Sequence, residues 1–482
     1  MRSLRELTLV FFFMFPGSLL AQIETGLQFN LSTPGSRSLG MGGAFIGFAD
    51  DATAAYTNPA GLTSLTLGGS EIAVEARNWD YSTLFLERGH IGDTMPFGVG
   101  IDTVAGFQSG EARSSASGLS FASVGYLLPR GITVALYHHQ LAKFRSRGVS
   151  QGLFDNEEED ILSGDCANDS IATFHGELIA DGDLFFNDCR FTPYRFDREL
   201  EITNDGVSAA WQIPIPALAK RKQSLSVGLG LSYYQLDVRA RTDALFFFGF
   251  TGSADFDRLP RGFVGPADTL DDNVFWSATN DGSDDALGLN LGLLWRLEPH
   301  WSIGAVYRQG PDFRYKGHVT TGPALERFYG IPRDVTLDSS SAPLHVPDVY
   351  GLGVAYTRNE GNTKVALDIN RVRYSQRLVD LVSTPADFQL GDVNEIHLGF
   401  EQVVLVLPSQ FVGTLRLGVW HEPNHEPTGK TEVASLFFPK GEDEIHWAGG
   451  LGLVVKEDYQ IDAAVDLSDR VNTFSFSIVR FF

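Results

Sequence analysis

The string His421-Glu422-Pro423-Asn424-His425 has the H-E-x-x-H spacing that, on a helix, sets two imidazoles on one face for Zn²⁺ with the glutamate as base. Pro423 and Pro427 forbid that helix, so only loose metal binding by His421 and His425 is left to the string. The acidic run Glu157, Glu158, Glu159 and Asp160 has the charge to gather Ca²⁺, although a solvated, self-repelling loop is the commoner fate of such a block. Gly40, Gly42 and Gly43 are followed by no Lys-Ser/Thr and have none of the basic residues of a phosphate-binding loop. No Ser/His/Asp or Cys/His nucleophile pattern stands out. The chemistry-bearing residues therefore predict no enzyme, no metal site and no cofactor, and attention passes to the elements that hold them.

The formal net charge of −23 excludes a nucleic-acid partner, which needs Lys/Arg clusters that release counterions. Residues 1–21 have a basic start (Arg2, Arg5), an apolar run from Leu7 to Phe15 and a small-residue exit at Gly17, Ser18 and Ala21. That is the pattern of a cleaved signal peptide, and the run is too short to cross a bilayer as a helix of about 20 residues. Export makes a loop-closing disulfide between Cys166 and Cys189 the expectation, with two separate thiols as the alternative.

After residue 68 the chain alternates with period two. Leu287, Leu289, Leu291, Leu293 and Trp295 oppose Gly288, Asn290, Gly292 and Leu294; Ile445, Trp447, Gly449, Leu451, Leu453 and Val455 oppose His446, Ala448, Gly450 and Gly452. A sandwich alternates in the same way, but it does not sort its loops. Here short turns (129–130, 298–299, 358–362, 408–410) alternate with mostly long acidic connections (146–199, 242–283, 316–347, 423–443), as in a barrel with tight periplasmic turns and long external loops. About sixteen strands are counted, among them 68–77, 81–88, 97–107 and 118–128. The prediction is an all-β transmembrane antiparallel barrel of 14 to 16 strands over 68–482, preceded by a non-alternating segment at 22–67. Inward positions carry charge at Arg296, Arg308, Asp368, Glu401, Arg416, Asp462 and Asp466, the lining expected of a barrel lumen. Some of these arginines are candidates to hold an acidic ligand.

Phe474, Phe476, Ile478 and Phe482 share one parity of the last strand, and a terminal aromatic there resembles the assembly signal of bacterial outer-membrane proteins. Residues 22–67 include Gly40, Gly42 and Gly43, Ala49-Asp50-Asp51-Ala52 and Asn58-Pro59-Ala60-Gly61. Small residues suit tight turns and close backbone packing, and Asn-Pro is a turn or helix-start signal. In content, order and position this run resembles the N-terminal hatch of the FadL/TodX family of outer-membrane transporters for long-chain fatty acids and aromatic hydrocarbons. Pro347 and the stretch from Asp368 to Tyr374 also look familial.

The resemblance implies a fourteen-stranded barrel plugged by the hatch, with Asn58-Pro59-Ala60 either closing the hatch or only packing it. It implies capture of an apolar ligand at the outer face, an interior pocket and a sideways exit at a kinked third strand. The matching strand is 97–107, with the kink at Gly106-Phe107 or, alternatively, an ordinary rim glycine there. The expected partners are hydrophobic small-molecule cargo, outer-membrane lipid and lipopolysaccharide, and the barrel assembly machinery, with the chain a monomer. Related hatch-bearing barrels that serve secretion or surface assembly supply the alternative function. The two counts, sixteen here and fourteen in the family, leave an apparent extra hairpin at 131–213.

Overall fold

The computed structural model describes residues 33–65, 70–90, 107–129, 131–156, 189–245, 271–297, 300–358, 361–378, 388–407, 410–430 and 440–482. The strands are β1 (Ser70–His90), β2 (Phe107–Leu128), β3 (Ile132–Asn156), β4 (Cys189–Ile213), β5 (Ser224–Leu245), β6 (Val274–Leu297), β7 (Trp301–Arg308), β8 (Asp312–Thr321) and β9 (Thr336–His345). They continue as β10 (Val349–Arg358), β11 (Thr363–Val372), β12 (Phe388–Gln389), β13 (Val393–Leu407), β14 (Phe411–Glu422), β15 (Thr428–Gly429), β16 (Glu444–Val455), β17 (Tyr459–Leu467) and β18 (Val471–Phe481). β12 and β15 form a separate two-stranded sheet.

The other sixteen strands form one antiparallel sheet that closes where β1 pairs with β18, Ala73 opposite Val479, and the Phe482 amide donates to the Ser70 carbonyl at 3.0 Å. β8 and β9 are not extra staves. β8 prolongs the pairing of β7 along β6, and β9 pairs with β8, so the closed ring has 14 strands. Closure pairs the first stave with the last, the way a sheet satisfies its backbone in lipid. The outward positions are exposed and apolar, from Leu229 and Leu231 on β5 and Leu287 and Leu291 on β6 to Leu451 on β16 and Phe476 on β18. This is the apolar girdle of an outer-membrane barrel.

The count of sixteen is corrected at its beginning. Residues 70–77 and 81–88 are one strand, β1, and 118–128 is the inner part of β2, which starts at Phe107. Gly106 and most of 97–107 lie outside the described residues, as do Cys166 and the run 157–160, and the side chains of Phe107 and Cys189 are likewise not described. The third stave is β3, and the hairpin at 131–213 belongs to the ring as β3 and β4. Residues 316–347, expected as a loop, contain most of the β8–β9 hairpin.

One ladder is incomplete. β2 and β3 pair from Leu128 opposite Ile132 as far as Phe121 opposite His139, and there the pairing ends. Both strands carry a bulge at this level. Ser120 is skipped in the register with β1 and Leu141 in the register with β4, and bulges bend the strands that carry them. Beyond the break the β1–β2 hairpin leans into the mouth along β3. The Tyr81 hydroxyl donates to the Lys143 carbonyl, the Ser114 hydroxyl to the Arg145 carbonyl, and Arg88–His90 runs parallel to Gly152–Phe154.

The outward assignment has a direct test. Leu291→Arg, in the middle of the girdle on β6, is expected to cost about 2–4 kcal/mol of folding into lipid vesicles, whereas Asp285→Arg on the same face above it costs little. Equilibrium urea titrations in vesicles measure both.

Candidate functional site

Segment 33–65 lies inside the ring and is almost wholly buried. It contains helical turns at Ser36–Gly40 and Ala54–Thr57 and a 3₁₀ turn at Pro59–Ser64. Gly42 and Gly43 have φ of +63° and +77°, the left-handed region that glycine tolerates best. Asn58 caps the 3₁₀ turn with its side-chain oxygen, accepting from the Ala60 amide at 3.2 Å, while its Nδ2 donates to the Ile46 carbonyl at 3.0 Å and to Leu293 on β6 at 3.2 Å.

The hatch is seated on a belt of wall glycines. Gly228 faces Pro59 and Ala60, Gly292 faces Asn58, Gly304 and Gly353 face Ile46 and Gly47, Gly399 and Gly418 face Met41 and Gly42, and Gly450 faces Gly40. A Cβ at Gly399 would stand 2.6 Å from the Met41 carbonyl oxygen, so any side chain there expels the hatch. Close approach lets wall side chains reach hatch backbone. Asp368 accepts from the Phe45 and Ile46 amides at 2.6 and 2.7 Å, His397 Nδ1 donates to the Gly42 carbonyl at 2.7 Å, and Ser208 and Ser302 donate to the Ala55 and Gly47 carbonyls, both at 2.6 Å.

Charge fastens one side. Arg37 lies 2.6 Å from Asp50 and 2.8 Å from Glu401, Glu401 is 2.6 Å from Arg416, Arg416 is 2.7 Å from Asp462, and Lys364 is 2.8 Å from Asp50. Burial works against the Asp50 carboxylate, but Arg37 and Lys364 outweigh it and hold its pKa below the ordinary carboxylate value. This depression makes the Asp50 contribution fully present above the ordinary value and lost as pH falls through the lowered one. Asp51 is shifted up by burial and takes a proton first on acidification.

Above the hatch the opposite side of the lumen is apolar. One contiguous buried cluster runs from Phe45 and Tyr56 of the hatch through Phe121, Leu141 and Phe144 to Leu200, Ile202, Leu236, Val238, Phe313 and Leu344. Its floor is Tyr56. The His139 ring lies 4.4 Å from the Tyr56 ring, and the Arg308 guanidinium sits over Tyr56 at 5.6 Å. Arg308 makes no ion pair among the described residues, and its Nε, His139 Nδ1 and both amide atoms of Asn204 have no hydrogen-bond partner. Buried polar atoms that lack partners beside an apolar column suit an acidic group on an apolar molecule.

The expected inward charges are all inward, but they divide into two sets. Asp368, Glu401, Arg416, Asp462 and Asp466 are partnered, and Arg296 donates to Ser64 of the hatch. Arg308 stands apart from them. The hatch residues Gly40, Gly42, Gly43, Asn58, Pro59 and Ala60 meet the wall. In the H-E-x-x-H string Glu422 pairs with His446 at 2.9 Å and lies 3.6 Å from His425, which stacks on Tyr374, while His421 turns to Asp443. No group of three or more His, Cys, Asp or Glu among the described residues is arranged for a metal. Neither the glycine belt nor the β2–β3 break was predicted from sequence. A signal for the belt was present in the inward glycines of neighbouring strands.

Two outcomes follow. Gly418→Val leaves the ring folded, seen as a heat-modifiable band, but makes the hatch accessible to protease. Arg37→Met leaves Glu401 and Asp50 short of a partner and destabilises the hatch by on the order of 3 kcal/mol, read by hydrogen exchange of 33–65.

No family model matches the chain, and no curated protein matches it in sequence. Solved structures do. A crystal structure of a Pseudomonas aeruginosa FadL homologue matches with a TM-score of 0.57 at 14% identity, covering 95% of this chain and 100% of that one. The P. putida toluene transporter TodX matches with a TM-score of 0.53 at 14% identity, covering 94% and 99%. Ring, plug and these superpositions agree: the chain has the fold of the FadL- and TodX-type outer-membrane barrels.

Proposed function

We propose that this barrel is an outer-membrane channel for passive uptake of hydrophobic small molecules, long-chain fatty acids or aromatic hydrocarbons, by way of the lumen and a lateral opening between β2 and β3. The observation that carries the proposal is that the buried apolar cluster reaches from the hatch to the end of the β2–β3 ladder, where Phe121 and Leu141 belong to it. A molecule entering among these rings exchanges one apolar contact for another, so passage needs no energy source beyond the gradient. The relatives named above, one a toluene transporter by name, support the cargo class. Arg308, with His139 and Asn204, receives the acidic end of a fatty acid.

The side wall supports the exit. Between the bulges at Ser120 and Leu141 and the hairpin tip, β2 and β3 have no ladder to break. The alternative, a partner of a secretion or surface-assembly system, accounts for the ion-paired side of the lumen but gives the apolar column no purpose. Domain limits at 1–21, 22–67 and 68–482, the assembly role of Phe482 and a monomeric state belong to the same proposal.

Uptake of a fluorescent fatty acid into proteoliposomes tests it. Deleting Ser120 and Leu141 together keeps the inward face inward on each strand and lets the ladder run on, so uptake falls about tenfold or more while the folded band persists. Arg308→Met raises the half-saturating fatty-acid concentration about tenfold and leaves a neutral hydrocarbon unaffected. Uptake no faster than in empty vesicles, or unchanged by the double deletion, overturns the proposal.

A further inference from the structure

The apolar girdle has uneven height, and it is low on β3, one bank of the broken ladder. On β5 the outward residues are apolar for five rows, Leu225, Val227, Leu229, Leu231 and Tyr233, before Gln235; on β6 they are Leu287, Leu289, Leu291, Leu293 and Trp295, with Asp285 next. On β3 only Ile132, Val134 and Leu136 precede His138. On β4 Ile213, Trp211, Ala209 and Val207 precede Asp205, and on β2 Leu128, Tyr126, Val124, Ala122 and, past the bulge, Leu119 precede Ser117. β1 has Ile72, Val74 and Ala76 before Asn78, and β18 has Ile478, Phe476 and Phe474 before Asn472. Each row is two residues of a strand tilted by about 40°, or about 5 Å of depth. The girdle is thus about 25 Å high on β5 and β6, about 20 Å on β4 and about 15 Å on β1, β3 and β18.

Above this low rim the outer face is a charged zipper. Directly opposite one another on β3 and β4 stand His138 and Asp205, Lys143 and Glu201, Arg145 and Glu199, and Arg147 and Asp197. Three of these pairs are in contact, at 2.8 Å for His138–Asp205, 3.7 Å for Lys143–Glu201 and 2.7 Å for Arg147–Asp197. On the other bank of the break, outward Ser117, Ser115, Arg113 and Glu111 of β2 are exposed. Such residues do not face acyl chains, where each charge is costly. Because the charges are matched within the sheet, the face calls for a wet, polar layer and not for a complementary protein.

We infer that the outer leaflet is thinned around β18, β1 and β3, so that the gap between β2 and β3 opens at the level of lipid headgroups and not into the acyl core. A bilayer adapts to a short apolar span in this way at modest cost. The inference deepens the proposed lateral exit. It places departing cargo at the interface, where an amphipathic molecule keeps its polar end wet while its chain turns into the leaflet.

The experiment is site-directed spin labelling of the full chain in a Cys166→Ser/Cys189→Ser background, in phosphatidylcholine vesicles. Nitroxides at His138, Asp205, Tyr233 and Leu287 are compared by collision with oxygen, which prefers lipid, and with a water-soluble nickel chelate. Labels at His138 and Asp205 are expected to favour the nickel chelate and those at Tyr233 and Leu287 to favour oxygen, although Asp205 and Tyr233 are paired neighbours. Oxygen preference at all four sites overturns the inference, as does exclusion of both reagents with dipolar broadening at His138, which assigns the face to a second copy. The accessibility profile does not depend on transport. Failure of uptake with the predicted profile removes the proposed function alone, and uptake with the opposite profile removes the thinning alone.

Discussion

Backbone inside a closed barrel has to be satisfied by the wall, and that requirement shapes most of this molecule. A segment of more than thirty residues occupies the lumen, and its carbonyl and amide groups meet Asp368, His397, Ser208, Ser302 and Asn290. Those side chains reach only because their own or adjacent staves carry glycine at the level of the hatch. The same close fit fixes where the hatch ends and leaves its top, Tyr56, as the floor of the space above. Hydrogen bonding and steric fit are thus the reason for an otherwise puzzling run of inward glycines on β5, β6, β7, β10, β13, β14 and β16.

Two kinds of lining follow from that arrangement. On one side Arg37 extends an ion-paired chain from the hatch into β13, β14 and β17, where the removal of any one member strands the others. On the other side the lining turns apolar as soon as the hatch is passed, in contact with the ladder break. Rigid anchorage and an apolar lining therefore occupy different arcs of one ring. Arg308 belongs to neither by charge, since it sits on the apolar arc without an acid beside it.

Much of this was legible in the sequence. Period-two alternation located the staves because one face of each must meet lipid, and loop sorting oriented them. The errors have a common cause. Asn78 and Asp80, and Ser115 and Ser117, look in the sequence like breaks between strands, whereas they are outward positions on strands that rise above the bilayer, where polar side chains are at home. For the same reason β3 and β4 run well past the limits expected of them, to Asn156 and from Cys189. The hatch was visible as a composition of small residues, but its seat was not, because each wall glycine finds its partner hundreds of residues away. Alternation placed Arg308 inward and had no means of showing that it lacks an acid.

The most direct examination of the central claim, that the apolar column is a cargo route, is a density map of the chain purified from its native outer membrane. The account predicts elongated density among Leu200, Leu236 and Phe313, ending near Arg308 above Tyr56, with the rings moved apart to admit it. A lumen in which these side chains keep their mutual contacts and nothing lies between them, in protein never exposed to competing detergent, contradicts it.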